Sequence, residues 1–324
     1  MQKFYFISNN QTDPYYNLAT EEFLLKRTEG YYIYLWINDR AVIVGKNQNA
    51  LEEVNLSYTE KNGIKVVRRL TGGGTVYHDK GNLCYTVIAP YNAEQDNYRV
   101  FTTPVIEYLK SLNVNAEFSG RNDIVIDGKK ISGNAQTIYK DKIMHHGTIL
   151  FDTDANELEK CLNPSKLKMQ SKGIKSVRSR VTNVKEHLPN KISVQKFKKG
   201  LEHWFLKDCQ PYEFSQAQQD EIALLVKEKY STYEWNIGSS PLGKNQFSQK
   251  FDFGIFTLNF DTEKGCVKNA CITGDFFELK DIEEFACLLN GIRFSRQDFL
   301  KAFERVGEYI SGALPCQIVD KMFE

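Results

Sequence analysis

The 324-residue sequence predicts an α+β protein of two domains, and three observations carry that reading. Short β-type runs crowd the first ninety residues: "YYIYLWI", "AVIVG", "IKVVRR" and "NLCYTVIA". Apolar residues fall at helical spacing in "YYNLATEEFLLKR", in "VFTTPVIEYLKSL" and around 156–162, 194–206 and 216–229. Around Ser239 to Gln249 the composition turns polar, with glycine and proline, as a linker does. The domains expected are therefore 1–240 and 250–324, the second an appendage of about 75 residues.

In chain order, Lys3 to Ile7 alternates as a first strand. Asp13 then offers a helix N-cap, with Pro14 at the first helical position. Asn38-Asp39 splits the next two strands. After the helix near 100–112, closed by Asn113, the block "GRNDIVIDGKKISGNAQTIYKDKIMHHGTILFD" reads as three antiparallel strands. Its turns fall at Asp127-Gly128 and Lys140-Asp141. Between two later helices lies "KGIKSVRSRVTNV", a basic loop without periodicity. Past the linker, two or three strands turn near Glu263 to Gly265, and two amphipathic helices follow.

Composition excludes several classes. Lysine plus arginine (42) nearly cancel aspartate plus glutamate (41), so no global field asks for nucleic acid. No stretch approaches the ~20 apolar residues of a membrane span, and the N-terminus lacks a signal-peptide pattern. Seven cysteines without CxxC or zinc-type spacing read as reduced cytosolic thiols. A cytoplasmic monomer is expected.

The chemistry concentrates in "VVRRLTGGGTVYHD", Val66 to Asp79. Gly72, Gly73 and Gly74 let the backbone approach a ligand closely, and successive N–H groups in such a turn cradle anions. Arg68 and Arg69 add forks suited to carboxylate and phosphate oxygens. An acidic, phosphorylated small molecule is the implied guest. On strand alternation, one of Lys129 and Lys130 faces inward, where it could neutralise developing negative charge. His145 and His146 point to opposite faces and cannot ligate one metal together. Cys84 reads as a small buried hydrophobe rather than a nucleophile. Asp79, Asn122 and Asp123 are candidates for Mg²⁺ or polar nucleotide contacts, and strand-end roles account for them equally well. Bottom-up, the residues yield a nucleotide or phosphate site with one placed lysine and leave the second substrate open.

Three blocks together carry a family likeness: "RRLTGGGTVYHD", "GRNDIVIDGKKISGNAQ…HHGTIL" and "KGIKSVRSRVTNV". With "NLATEEFLL" and "LWINDRAVIVGKNQN" upstream, the chain resembles the bacterial lipoate–protein ligases. The likeness is continuous to Tyr233–Gly238 and weaker through the small domain. It implies the mixed-sheet catalytic domain shared with biotin protein ligases, with a small α+β domain beside it. It also implies two half-reactions. ATP, with Mg²⁺, activates the lipoate carboxylate to lipoyl-adenylate; the acyl group then passes to a lysine of an apo lipoyl carrier domain. The carriers implied are the E2 subunits of 2-oxoacid dehydrogenases and the glycine cleavage H protein.

Carried over residue by residue, the resemblance puts Arg69, Gly74, Thr75, Val76 and Tyr77 on the nucleotide. It makes Lys130 the catalytic residue, between carboxylate and phosphate. Trp36, Leu70, Gly73, His78, His146 and Gly147 would line the tunnel for lipoate. Lys172, Arg178 and Arg180 would fold over the adenylate, and Asp123 is the metal candidate. The alternative is a lipoyl or octanoyl amidotransferase of the same superfamily, which uses a cysteine thioester and no ATP. No cysteine lies in the "KISGNAQ" or "HHGTIL" blocks, and the C-terminal domain is present. A nucleotide-sensing module without turnover is the alternative from another class.

Overall fold

The computed structural model describes residues 4–163, 180–238, 245–263 and 265–323. Its strands are β1 (Phe4–Ser8), β2 (Tyr31–Ile37), β3 (Ala41–Val44), β4 (Lys65–Arg68), β5 (Val76–His78), β6 (Asn82–Pro90) and β7 (Ala116–Ser119). Then come β8 (Asp123–Ile126), β9 (Lys129–Tyr139), β10 (Lys142–Leu150), β11 (Gln210–Pro211), β12 (Asn245–Phe251), β13 (Gly254–Glu263) and β14 (Cys266–Gly274). Eight form one mixed sheet in the order β11-β1-β2-β6-β10-β9-β8-β7, while β4-β3-β5 and β12-β13-β14 form two small ones. The α+β class is thus borne out. So are the three antiparallel strands β8, β9 and β10.

Both faces of the large sheet are covered, which is why β2 reads as a nearly continuous apolar run. Ile33 and Leu35 join one core with Val105, Leu109, Phe197 and Leu201. Tyr32, Tyr34 and Trp36 point the other way, into a core with Leu18, Phe23, Ile222 and Leu225. That second core lies beneath the glycine loop.

Helix α1 (Pro14–Lys26) forms as the sequence indicates: the Asp13 side chain accepts from Tyr15 N and Pro14 starts the first turn. Its burial differs from a one-sided stripe. Asn17, Thr20, Glu21 and Glu22 are buried along with the apolar residues: Asn17 and Glu21 face the sheet, against Tyr34, Thr86 and His146, while Glu22 lies under segment Val226–Tyr230, which with helix Gln216–Leu225 covers the other face. Each buried polar group on α1 has partners. Glu22 meets Lys229 at 2.7 Å, Tyr230 at 2.7 Å and Lys26 at 3.1 Å.

In the C-terminal part, pairing overrides composition. Residues 245–249, expected as connecting chain, form most of β12, which pairs with β13 from Asn245↔Phe260 to Phe251↔Gly254. Alternating polar residues on a strand's solvent face look like a linker in composition. Phe256, Phe276, Phe285, Phe299 and Phe303 fill this unit's own core. Helix Pro315–Phe323 went unread in the sequence. Among the described residues, no helix is long and apolar enough to cross a membrane.

Candidate functional site

The glycine loop between β4 and β5 is built by its two arginines. Arg68 is buried and donates to five backbone carbonyls: Gly45, Lys46 and Gln48 on one segment, Trp235 and Asn236 on another. It ties distant chain together and does not line either cavity described below. Arg69 is also buried, and its guanidinium grips the loop from beneath. It donates to Gly72 O (2.6 Å), Gly74 O (2.9 Å), Ile43 O (3.1 Å) and Thr71 Oγ1 (3.0 Å). Of its five N–H groups, one on Nη1 is left without a partner among the described residues, in a side chain that lines the cavity. Burial brings the Arg69 pKa down to about 10, which leaves it charged at neutral pH. Gly73 sits at φ +89°, and a Cβ on Gly45 would lie 2.0 Å from Gly73 O, so both positions require glycine.

Two cavities meet at this loop. The first, about 420 Å³, has an apolar wall of Leu18, Trp36, Ile43 and Cys84, with Arg69, His78, His146 and Gly147. The second, about 1110 Å³, takes in Gly74 to Tyr77, Lys129, Arg180 and Asn183. Lys130 lines both, as do Gly74, Thr75, Val76 and Gly133. A bulge between β8 and β9 pairs Lys130 with Val125 and Ser132 with Ile124, which turns Ile131 into the core and Lys130 to the cleft. Lys130 Nζ lies 2.7 Å from Asp123 Oδ1. Its backbone N–H donates to Arg180 O and its carbonyl accepts from Thr182 N, so chain following the basic loop pairs with it. Lys129 is exposed on the outer rim.

Behind the first cavity runs a buried polar chain. Glu21, 1% exposed, accepts from Thr86 Oγ1 at 2.5 Å and lies 3.0 Å from His146 Nδ1. His146 Nε2 is 2.7 Å from Thr71 Oγ1. His145 faces the opposite side, against Tyr85, Tyr98 and Phe101. Cys84 lies 3.7 Å from His78 Nδ1, yet neither group is activated. Burial pushes the thiol well up, Asn82 donates to its sulfur, and Asn38 occupies His78 Nδ1.

Burial, with Arg69 and His146 adding repulsion, depresses the His78 pKa to about 3; burial and His146 do the same to His145. An unfolded histidine binds its proton near pH 6.5. Between these values the unfolded chain holds protons that the folded chain excludes, so stability falls as pH drops below about 6.5. Each histidine contributes a slope of up to about 1.4 kcal/mol per pH unit. Urea midpoints between pH 7 and 4.5 should drop accordingly, and His145→Asn should flatten the dependence. An unchanged slope in that variant contradicts the assignment.

The structure therefore brings Trp36, Arg69, Gly73, Gly74, Thr75, Val76, His78, Lys130, His146 and Gly147 to one cavity. Tyr77, Asp123 and Arg180 line the adjoining one. Leu70 is not brought there: Arg69 faces the cavity, and Leu70 packs into the core beneath it. Lys172 and Arg178 lie outside the described residues. Asp79 is a turn residue, accepting from Gly81 N and Asp154 N. Sequence reasoning missed the contribution of the C-terminal unit. Lys250, Asp252, Asp275 and Phe277 complete the first cavity, Arg121 stacks on Phe277 at 4.2 Å, and Gly73 N donates to Phe276 O. Nothing in "GDFFELK" signals that contact. It missed Glu21 as well, although "NLATEEFLL" places two glutamates in an otherwise apolar helix, which is a readable sign of buried charge.

Comparison with known proteins gives this geometry a family. The model of the lipoyl protein ligase A/B catalytic domain matches residues 13–206, and that of the bacterial lipoate protein ligase C-terminus matches residues 240–321. The chain is 41% identical over 310 residues to lipoate-protein ligase LplJ of Bacillus subtilis (strain 168), covering 93% of this chain and 94% of that protein. Its structure is similar to that of P. falciparum LipL1 in complex with lipoate, at a TM-score of 0.80 and 28% identity, covering 99% and 98% of the two chains. It is also similar to a lipoate-protein ligase A bound with ATP, at a TM-score of 0.63 and 28% identity, covering 73% of this chain and 98% of that one. With a catalytic part and a C-terminal part that each match, the chain belongs to the lipoate–protein ligase family.

Proposed function

We propose that this ligase joins lipoate to ATP in the cleft that Lys130 divides, then passes the lipoyl group to a carrier lysine. One observation carries the assignment: Lys130 lines both the smaller cavity, with its wall of Leu18, Trp36, Ile43 and Cys84, and the larger one. The dithiolane tail fits the wall of Leu18, Trp36, Ile43 and Cys84, which sets its carboxylate beside Lys130. The nucleotide is assigned to the larger cavity, with Gly74, Thr75, Val76 and Tyr77 along it.

In the first half-reaction a carboxylate oxygen attacks the α-phosphorus and the bond to pyrophosphate breaks. Both partners are anions, so the chain must offset their repulsion. The Lys130 ammonium sits between them and gains most as charge builds on the phosphoryl oxygens. Asp123 holds that side chain in place beforehand. The remaining Arg69 N–H and the loop amides add fixed donors that need no reorganisation. In the second half-reaction the carrier amine attacks the acyl carbon and AMP departs. Arg180, with Arg178 and Lys172 beyond the described residues, is assigned to shielding the adenylate from water.

Among the described residues no three metal-ligating side chains converge. Mg²⁺ on nucleotide phosphates needs only one or two carboxylates, and Asp123, already 2.7 Å from Lys130 Nζ, is the carboxylate we assign to it. Bound there, Mg²⁺ would offset phosphate charge. The acceptors we assign are lipoyl domains of E2 subunits and the glycine cleavage H protein. A reduced, cytoplasmic setting agrees with seven unpaired cysteines.

Lipoate-dependent exchange between pyrophosphate and ATP tests the reading. Exchange should appear only when lipoate is present, and its absence at saturating substrates overturns the proposal. Cys84→Ser should keep its rate within about threefold, because a buried thiol acts there as packing. Complete loss in the variant, with a thioester trapped on Cys84 of the parent protein, would instead favour the amidotransferase.

A further inference from the structure

Glu21 is a buried carboxylate for which the proposed reaction gives no role. It lies on α1 and does not line either cavity. Its neighbour Glu22 is accounted for by Lys26, Lys229 and Tyr230. Among the described residues Glu21 has no lysine or arginine in contact; its partners are Thr86 and His146. A buried charge without a contacting cation is costly, so a constraint other than packing should retain it.

The donor directions along the chain follow from chemistry. Trp36 Nε1 can only donate, and it donates to Thr86 Oγ1, which leaves the Thr86 hydroxyl proton for Glu21. An ionised Glu21 can only accept, so His146 carries its proton on Nδ1. With the imidazole neutral, His146 Nε2 is an acceptor and the Thr71 hydroxyl donates to it. That leaves the Thr71 oxygen lone pairs for Arg69 Nε, which donates at 3.0 Å.

We propose that Glu21 is a positioning residue for adenylation, which sets the tautomer of His146 and, through Thr71, the roll of the Arg69 guanidinium beneath the glycine loop. The inference rests on the reading of Arg69 and His146 as parts of the lipoate and nucleotide site. Glu21 itself touches no substrate. Its carboxylate gives the relay one direction, so that the Arg69 N–H without a partner among the described residues stays available to the incoming carboxylate or phosphate. With the relay reversed, His146 Nε2–H and Arg69 Nε both donate to the one Thr71 oxygen, which weakens the hold of Thr71 on the guanidinium and shifts that donor.

The test uses Glu21→Gln in the full chain, with Glu22→Gln as comparator. Nitrogen-15 NMR of His146 should show the Nδ1–H tautomer in the parent protein and a shift toward Nε2–H in Glu21→Gln. This readout does not depend on turnover, so it separates failure of this inference from failure of the ligase reading, in which the parent protein itself shows no exchange. In lipoate-dependent pyrophosphate exchange, Glu21→Gln should lose roughly ten- to a hundredfold in kcat, as expected for one charged hydrogen bond, with KM for ATP nearly unchanged. Glu22→Gln should lower the melting temperature and leave kcat alone. In a His146→Gln background, the Glu21 replacement should add nothing further. An unchanged His146 tautomer, a kcat within twofold of the parent, or full additivity with His146→Gln overturns the proposal.

Discussion

Lys130→Ala should slow lipoate-dependent pyrophosphate exchange by on the order of a thousandfold, the upper range for losing one preorganised donor at developing charge. The loss is expected to fall on kcat more than on KM, because the ammonium gains most as negative charge accumulates between carboxylate and phosphate. Asp123 makes the effect larger. It lies 2.7 Å from Nζ, so removing the lysine leaves a carboxylate facing two anions. Lys129→Ala should stay within about twofold, as the exposed neighbour reaches only the outer rim. Melting curves close to the parent's would show that Lys130→Ala still folds. Equal losses at both lysines contradict the inward placement of Lys130.

Arg68→Met should destabilise the fold by roughly 3–5 kcal/mol, the range for breaking a buried charged network. Five backbone carbonyls lose their donor at once, three from 45–48 and two from 235–236. The methionine stem replaces packing and none of the hydrogen bonds. Because the 45–48 turn also carries Gly45, against which Gly73 rests, the glycine loop should loosen as well. Urea unfolding monitored by circular dichroism measures the loss. A cost below about 1 kcal/mol would contradict the role assigned to Arg68. Two adjacent arginines thus do different work: Arg68 ties chain segments, and Arg69 braces the loop and faces the cavity.

Much of the catalytic half was legible because local signals and tertiary needs agree there. Asp13-Pro14 begins α1, Asp127-Gly128 turns β8 into β9, and Asn113 ends its helix at φ +60°. The glycine triplet was found for a physical reason, close backbone approach; strand alternation narrowed the inward cation to Lys129 or Lys130, and the family resemblance chose Lys130. The rest depends on partners that a sequence does not name. Leu70 follows Arg69 but packs into the core with Leu18, Trp36 and Ile43, a placement that depends on partners distant in the chain. Phe277 and Asp275 reach the site from some two hundred residues away along the chain, through docking that no local pattern encodes. β12 hides in a polar stretch because its neighbour β13 supplies the pairing. Glu21 is visible as an acid in an apolar helix, yet its meaning appears only once His146 and Thr71 are beside it.

The most direct test of the central assignment is the intact mass of an apo lipoyl domain after incubation with this protein, lipoate, ATP and Mg²⁺. The mass should rise by one lipoyl group with the parent protein, and not when ATP is withheld or Lys130 is alanine. A gain without ATP, or no gain at saturating ATP and lipoate, would contradict adenylate chemistry in the cleft.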